Sequence, residues 1–162
     1  ATIKLETKKR NGTVIAKDTA QIDFSNAVDL INGTFIIQNF NNELAKLIVI
    51  KLKSNAYRPH VIVEYDREAY YLPYGNIRIT IDKNLRTYNT HTNLFSLDNV
   101  SKTPVLLNNN QILEVKFDTD IPSYLNDILR VIPLVRSSIS KYVLCQRFVN
   151  HDPRKDNIVP SF

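Results

Sequence analysis

Four short stretches of this 162-residue chain alternate so that charged side chains fall on one face of a strand. Glu6 and Lys8 are joined across a turn by Lys17. Arg67 stands alone in a tyrosine-rich run. Arg78 and Asp82 flank Thr80, and Glu114, Lys116 and Asp118 follow one another two residues apart. Arg offers planar, forked donors that match phosphate oxygens, and Lys offers point charges. Carboxylates set among them are the hard oxygen donors that a divalent cation prefers. The chemistry within reach is therefore the binding of a phosphate chain and its metal ion. A simpler account stands beside it, because antiparallel sheets commonly pack one face on a core and leave the other in water. Composition does not choose between the two.

The elements that must carry these residues follow from periodicity and punctuation. Residues 2–10 alternate strictly, with Ile3, Leu5 and Thr7 on one side and Lys4, Glu6, Lys8 and Arg10 on the other. Asn11-Gly12 predicts a hairpin to a second strand from Thr13 to Ile22. With a two-residue turn there, Arg10 faces Thr13, Lys8 faces Ile15 and Glu6 faces Lys17, so Glu6, Lys8 and Lys17 share a face. A short helix is expected from Phe24-Ser25-Asn26 to Ile31, ended by Asn32-Gly33. A second, capped by Asn41 or Asn42, runs to Ser54 ahead of Pro59. Strands are expected over Val61–Tyr70 and, after a Pro73/Gly75 turn, over Ile77–Asp82. Residues 83–110 read as loop with a short strand near Thr92–Leu97. A strand over Ile112–Asp118 comes next, then a helix from Asp120 with Pro122 at an early position, running to Ile132 and stopped by Pro133. A last helix, capped by Ser137 or Ser138, reaches Phe148, and residues 150–162 read as a loose tail.

Bulk properties narrow the field. The chain is 43% hydrophobic and 23% charged, which is ordinary for a globular domain. A single cysteine, Cys145, excludes an internal disulfide and suits a reducing, cytoplasmic setting. Neither a run of 18 apolar residues nor a signal-peptide pattern occurs. His60, His91 and His151 are scattered without metal-ligand spacing. The net charge of +5 permits a polyanionic partner. Nucleic acid is disfavoured, because the basic residues alternate with carboxylates on strands and no nucleic-acid signature appears.

Five segments, taken in order, resemble the VTC domain of polyphosphate polymerases. Leu5-Glu6-Thr7-Lys8 with Lys17 is similar to that domain's L-E-x-K hairpin. Tyr65-Asp66-Arg67-Glu68-Ala69-Tyr70 resembles its Y-x-R-x-A-[YF] strand, and Arg78-Ile79-Thr80-Ile81-Asp82 its R-[IV]-[ST]-[ILF]-D strand. Ile112-Leu113-Glu114-Val115-Lys116 resembles I-L-E-V-K, and Ser140-Lys141-Tyr142 resembles S-K-[YF] in its last helix. The resemblance implies an α+β fold, an antiparallel β-barrel of the triphosphate tunnel kind, with helices at its ends and outside. It implies that Lys8, Lys17, Arg67, Arg78 and Lys141 act on the phosphate chain as catalytic and substrate-binding residues, with Lys116 as a further substrate contact. Glu114 would be the ligand of Mn²⁺ or Mg²⁺, and Glu6 a supporting member of the charge network. The activity implied is a polyphosphate polymerase using ATP or another triphosphate, the alternatives being a triphosphatase of the same fold or a non-catalytic polyphosphate-binding module. Residues 1–149 are expected to be the C-terminal portion of such a domain. The chain starts inside a strand pattern without Met, and the family's upstream Arg-x-Arg strand would be supplied by an N-terminal part of the same domain. A membrane partner elsewhere is compatible with this picture.

Overall fold

The computed structural model describes residues 2–12, 14–88, 93–106 and 109–149. The segment 150–162, expected as a tail, lies outside the described residues, as does Thr92. The class is α+β, with antiparallel sheets and four α-helices, and the chain divides into two compact units, Ala1–Pro59 and His60–Phe162.

In the first unit, strands β1 (Ile3–Asn11) and β2 (Val14–Ile22) form the expected hairpin. Its register differs from expectation. Asn11 stays in the ladder opposite Val14, so Lys8 pairs with Lys17 and Glu6 with Thr19. The left-handed conformation needed for reversal falls on Gly12 at φ 60°, which costs glycine nothing. The displacement moves both strands together, so Glu6, Lys8 and Lys17 still share a face. The opposite face carries Leu5, Ala20 and Ile22. It packs with Phe40 and with Ala45, Ile48 and Val49 of helix α2 (Glu43–Ser54). Asn42 caps that helix, its side chain accepting from Leu44 N at 2.9 Å and Ala45 N at 3.2 Å. Helix α1 (Phe24–Asn32) ends at left-handed Gly33, as its sequence predicts.

The second unit is built on strand β4 (Ile77–Tyr88), which runs six residues beyond the expected Asp82. Strand β3 (Val63–Leu72) flanks it on one side. Strands β5 (Lys102–Pro104) and β6 (Ile112–Lys116) share the other. The predicted loop 83–110 thus begins as sheet, and its short strand lies at Lys102–Pro104 rather than near Thr92–Leu97, where the described residues form turns. Leu85, Thr87 and Tyr88 are buried, and Pro104 sits on an edge strand, where its missing donor is harmless. A bulge between Glu64 and Asp66 leaves Asn84 as the extra residue, at φ 51°. Gly75 at φ 66° turns the chain between β3 and β4, and a Cβ there would meet the Asp120 carbonyl oxygen at 3.3 Å. Helix α3 (Ser123–Val131) starts behind Pro122, three residues after the expected Asp120. Helix α4 (Lys141–Val149) starts behind Ser140 rather than Ser137 or Ser138, with Ser140 Oγ accepting from Val143 N at 3.4 Å. Cys145 of α4 is buried against Leu85, Val105 and Ile112, which seats the helix on the sheet.

Candidate functional site

Register decides which side chains share a face of the second sheet. Arg67 pairs with Asp82, Ala69 with Thr80 and Tyr71 with Arg78. Across β4, Arg78 pairs with Lys116, Thr80 with Glu114 and Asp82 with Ile112. Cross-strand partners point the same way, so Arg67, Arg78, Thr80, Asp82, Glu114 and Lys116 lie on one face.

At the centre of this face is a completely buried carboxylate. Asp82 accepts from Arg67 Nε at 2.6 Å and Nη2 at 2.8 Å, a forked pair, and from Lys141 Nζ at 2.7 Å. Lys141, the first residue of α4, arrives there because Cys145, one turn on, is anchored in the core. Arg67 and Lys141 each lie 5.1 Å from the Tyr65 ring centroid, so one aromatic ring faces both cations. The Arg67 guanidinium, against the opposing pull of burial, and then Lys141 hold the Asp82 carboxyl below the usual aspartate range. Reciprocally, the hydrogen bonds to Asp82 raise the Arg67 pKa.

The remaining members are more open. Glu114 meets Lys116 Nζ at 3.2 Å, both side chains being largely in water, so the pair itself adds little stability. Glu114 is close enough to act electrostatically on Arg67. Arg78 is exposed and makes no ion pair among the described residues. Asp118, expected on this strand face, falls beyond the end of β6 and accepts instead from Asn76 Nδ2 at 2.9 Å.

The opposite face of the same sheet is a useful contrast. There Arg86 bridges Glu64 and Asp66, Lys102 meets Glu64 at 3.2 Å, and Lys83 meets Glu68 at 2.6 Å. Tyr88 donates to Glu64. Among the described residues three cations meet three carboxylates there, and none is left over. On the first face four cations (Arg67, Arg78, Lys116 and Lys141) meet two carboxylates. Being charged does not distinguish the faces; surplus positive charge does.

The hairpin of the first unit has a charged face of its own. Lys17 meets Glu6 at 2.7 Å, and Lys8 lies opposite Lys17 in the ladder. Lys17, by hydrogen bonding and charge, lowers the Glu6 pKa against the pull of burial, and the Lys8 charge adds to this. Sequence reasoning named Arg67, Arg78, Glu114, Lys116 and Lys141, all of which the second sheet and α4 bring together. It did not name Asp82 as their anchor, nor Tyr65. The sequence placed Asp82 at the end of its strand on the polar face; only the longer β4 and the seating of α4 bury it, where a carboxylate is tolerated because cations satisfy it.

The family model of the VTC domain matches residues 1–150. This chain belongs to the VTC domain family. Membership gives it a polyphosphate-related function at the coarse level. Searches of curated proteins and of solved structures returned no match. In this VTC domain no described helix is long and apolar enough to cross a membrane. The described residues contain no group of three His, Cys, Asp or Glu side chains placed to hold a metal. The donor set nevertheless suits one mode of binding. Asp82 is consumed by its two cations, which leaves Glu114 as the carboxylate available on the cationic face. One carboxylate completed by phosphate oxygens and water is how Mg²⁺-type ions are commonly held beside a polyphosphate.

Proposed function

We propose that this VTC domain binds the phosphate chain of polyphosphate or a nucleoside triphosphate and carries out metal-dependent phosphoryl transfer in the manner of a polyphosphate polymerase. The observation that carries this reading is the surplus of cations on the Arg67 face beside the exact neutrality of the opposite one. Four cations with two carboxylates form a stable arrangement in the presence of a polyanion.

In this reading Arg67 and Lys141, fixed by Asp82, orient non-bridging phosphate oxygens, while Arg78 and Lys116 close on the chain from the open side. Lys8 and Lys17 take the same role on the hairpin, with Glu6 balancing their charge. A barrel closing around the phosphate chain is part of the proposal. Glu114 would hold Mn²⁺ or Mg²⁺, which when bound neutralises charge developing on the transferred phosphoryl group. The chain's own contribution is alignment and charge compensation, and no side-chain nucleophile is required. ATP or another triphosphate is the proposed donor and polyphosphate the product, made on the cytoplasmic side.

A second reading, a polyphosphate-binding module without turnover, draws on one observation: among the described residues Glu114 is the single carboxylate on the face not buried by its partners, held only by an open ion pair with Lys116. Calorimetric titration with tripolyphosphate and with duplex DNA at matched ionic strength tests both. Tripolyphosphate should bind, weaken steeply with salt, and outcompete DNA. Incubation with ATP and Mn²⁺ should then yield polyphosphate, and Glu114→Gln should abolish turnover while leaving tripolyphosphate binding in place. Binding without turnover selects the module reading; orthophosphate as the sole product selects a triphosphatase; no tripolyphosphate binding overturns all three.

A further inference from the structure

We infer that Thr80 is a positioning residue for Glu114, a role that rests on the phosphate-binding reading above. Thr80 stands in the middle of β4, 3% exposed, and its Oγ1 is buried without a hydrogen-bond partner. A buried hydroxyl left unpaired is costly, and such groups in a folded domain call for a partner that another state supplies.

Its surroundings leave one side chain to accept its proton. The flanking residue on β3 is Ala69, which offers no side-chain polar atom. Along β4 the same face carries Arg78, which can donate to the hydroxyl but cannot take its proton, and Asp82, whose oxygens already accept from Arg67 and Lys141. The flanking residue on β6 is Glu114. Directly opposed residues have Cβ atoms about 4.5–5.5 Å apart, within reach of a glutamate that changes rotamer. Among the described residues Glu114 ion-pairs only with Lys116, through Oε1 at a long 3.2 Å. When a phosphate chain draws Lys116 away, Glu114 is released, and the Thr80 hydroxyl is the donor beside it. A carboxylate held by that hydroxyl on one oxygen presents the other to a divalent ion. Glu114 thus has two stations: Lys116 in the empty site and Thr80 in the loaded one.

The test is Mn²⁺ binding followed by electron paramagnetic resonance, with tripolyphosphate present, in wild type, Thr80→Val and Thr80→Ser. Thr80→Val keeps the shape and removes the hydroxyl. It should lower Mn²⁺ affinity about 10-fold, as loss of a hydrogen bond behind a metal ligand does. Its melting temperature should be unchanged or raised, since an unpaired buried hydroxyl has gone. Thr80→Ser, which keeps the hydroxyl, should stay within about 2-fold of wild type. In a Glu114→Gln background, Thr80→Val should have no further effect on Mn²⁺. Unchanged Mn²⁺ affinity in Thr80→Val, or an equal loss with and without Glu114, overturns the inference. Should Thr80→Val not fold, the hydroxyl was not an unmet group in the native state, and the inference falls as well. Absence of tripolyphosphate binding in wild type is a separate failure, that of the underlying phosphate reading.

Discussion

Replacing Asp82 with Asn should destabilise the protein by about 2–3 kcal/mol. Removing one partner of a buried ion pair ordinarily costs about 3–5 kcal/mol, because an uncompensated charge is left inside. Here the groups left behind are not sealed off: the Arg67 side chain is 31% exposed and that of Lys141 24%. Water therefore relieves part of the penalty, and an Asn oxygen placed where Oδ2 lies can still accept from Arg67 Nη2 and Lys141 Nζ, two of the three hydrogen bonds. For a urea m-value of about 1–3 kcal/mol/M, the midpoint should fall by about 0.7–3 M, followed by far-UV circular dichroism. A fall of less than about 0.3 M would refute the claim that Asp82 is the anchor of the site.

The same variant gives a second, independent reading through pH. The Asp82 carboxyl is held below its unfolded value, first by Arg67 and then, burial opposing, by Lys141. A group whose folded pKa is depressed contributes stability that is present above the unfolded pKa, about 3.9 for aspartate, and lost as pH falls through the folded pKa. Wild type should therefore lose its advantage over Asp82→Asn as the pH drops from about 5 towards 2. A gap that stays constant across that range would show that Asp82 contributes through shape rather than charge.

Two further predictions concern the scaffold. Asn42→Ala removes the oxygen that caps α2 and should cost about 1 kcal/mol in urea unfolding, with Asn42→Asp close to wild type. Cys145 is fully buried, and burial pushes its thiol pKa up, so it should not react with Ellman's reagent until the protein unfolds; rapid native-state labelling would contradict the packing of α4 on the sheet.

Legibility in the sequence tracked how local the deciding interaction was. The hairpin, the α2 cap, the Gly33 stop and the Ile77–Asp82 strand were readable because each rests on a few neighbouring residues and one well-defined backbone preference. Residues 83–88 were not. Lys83-Asn84-Leu85-Arg86 has the polar, Asn-containing composition of a loop, and it is sheet because Arg86 and Lys83 find Glu64, Asp66 and Glu68 across the ladder. The register of the hairpin, in which Lys8 meets Lys17 rather than Ile15, escaped because a two-residue displacement keeps every side chain on its face, so the alternation of Leu5, Ala20 and Ile22 does not choose between the two pairings. Among site residues, Arg67, Arg78, Glu114, Lys116 and Lys141 carried a pattern, whereas the role of Asp82 exists only once β3, β4 and α4 are assembled.

That assembly bears on how the site would work. Fixing an Arg or Lys side chain costs up to about 2 kcal/mol of rotamer freedom. For Arg67 and Lys141 this cost is met on folding, because Asp82 and Tyr65 already hold them. Neither is exhausted by being held: Arg67 gives Asp82 two of the five N–H donors a guanidinium offers, and Lys141 one of three. Arg78 and Lys116, more exposed and less tied, would still have to be ordered when a ligand arrives. The face is therefore graded, with a preorganised pair beside Asp82 and a mobile pair at the rim. An exposed strand face whose charges served only solubility would have no reason to bury a carboxylate in order to aim two of its cations, and that burial adds to the cation surplus in support of the proposed anion binding.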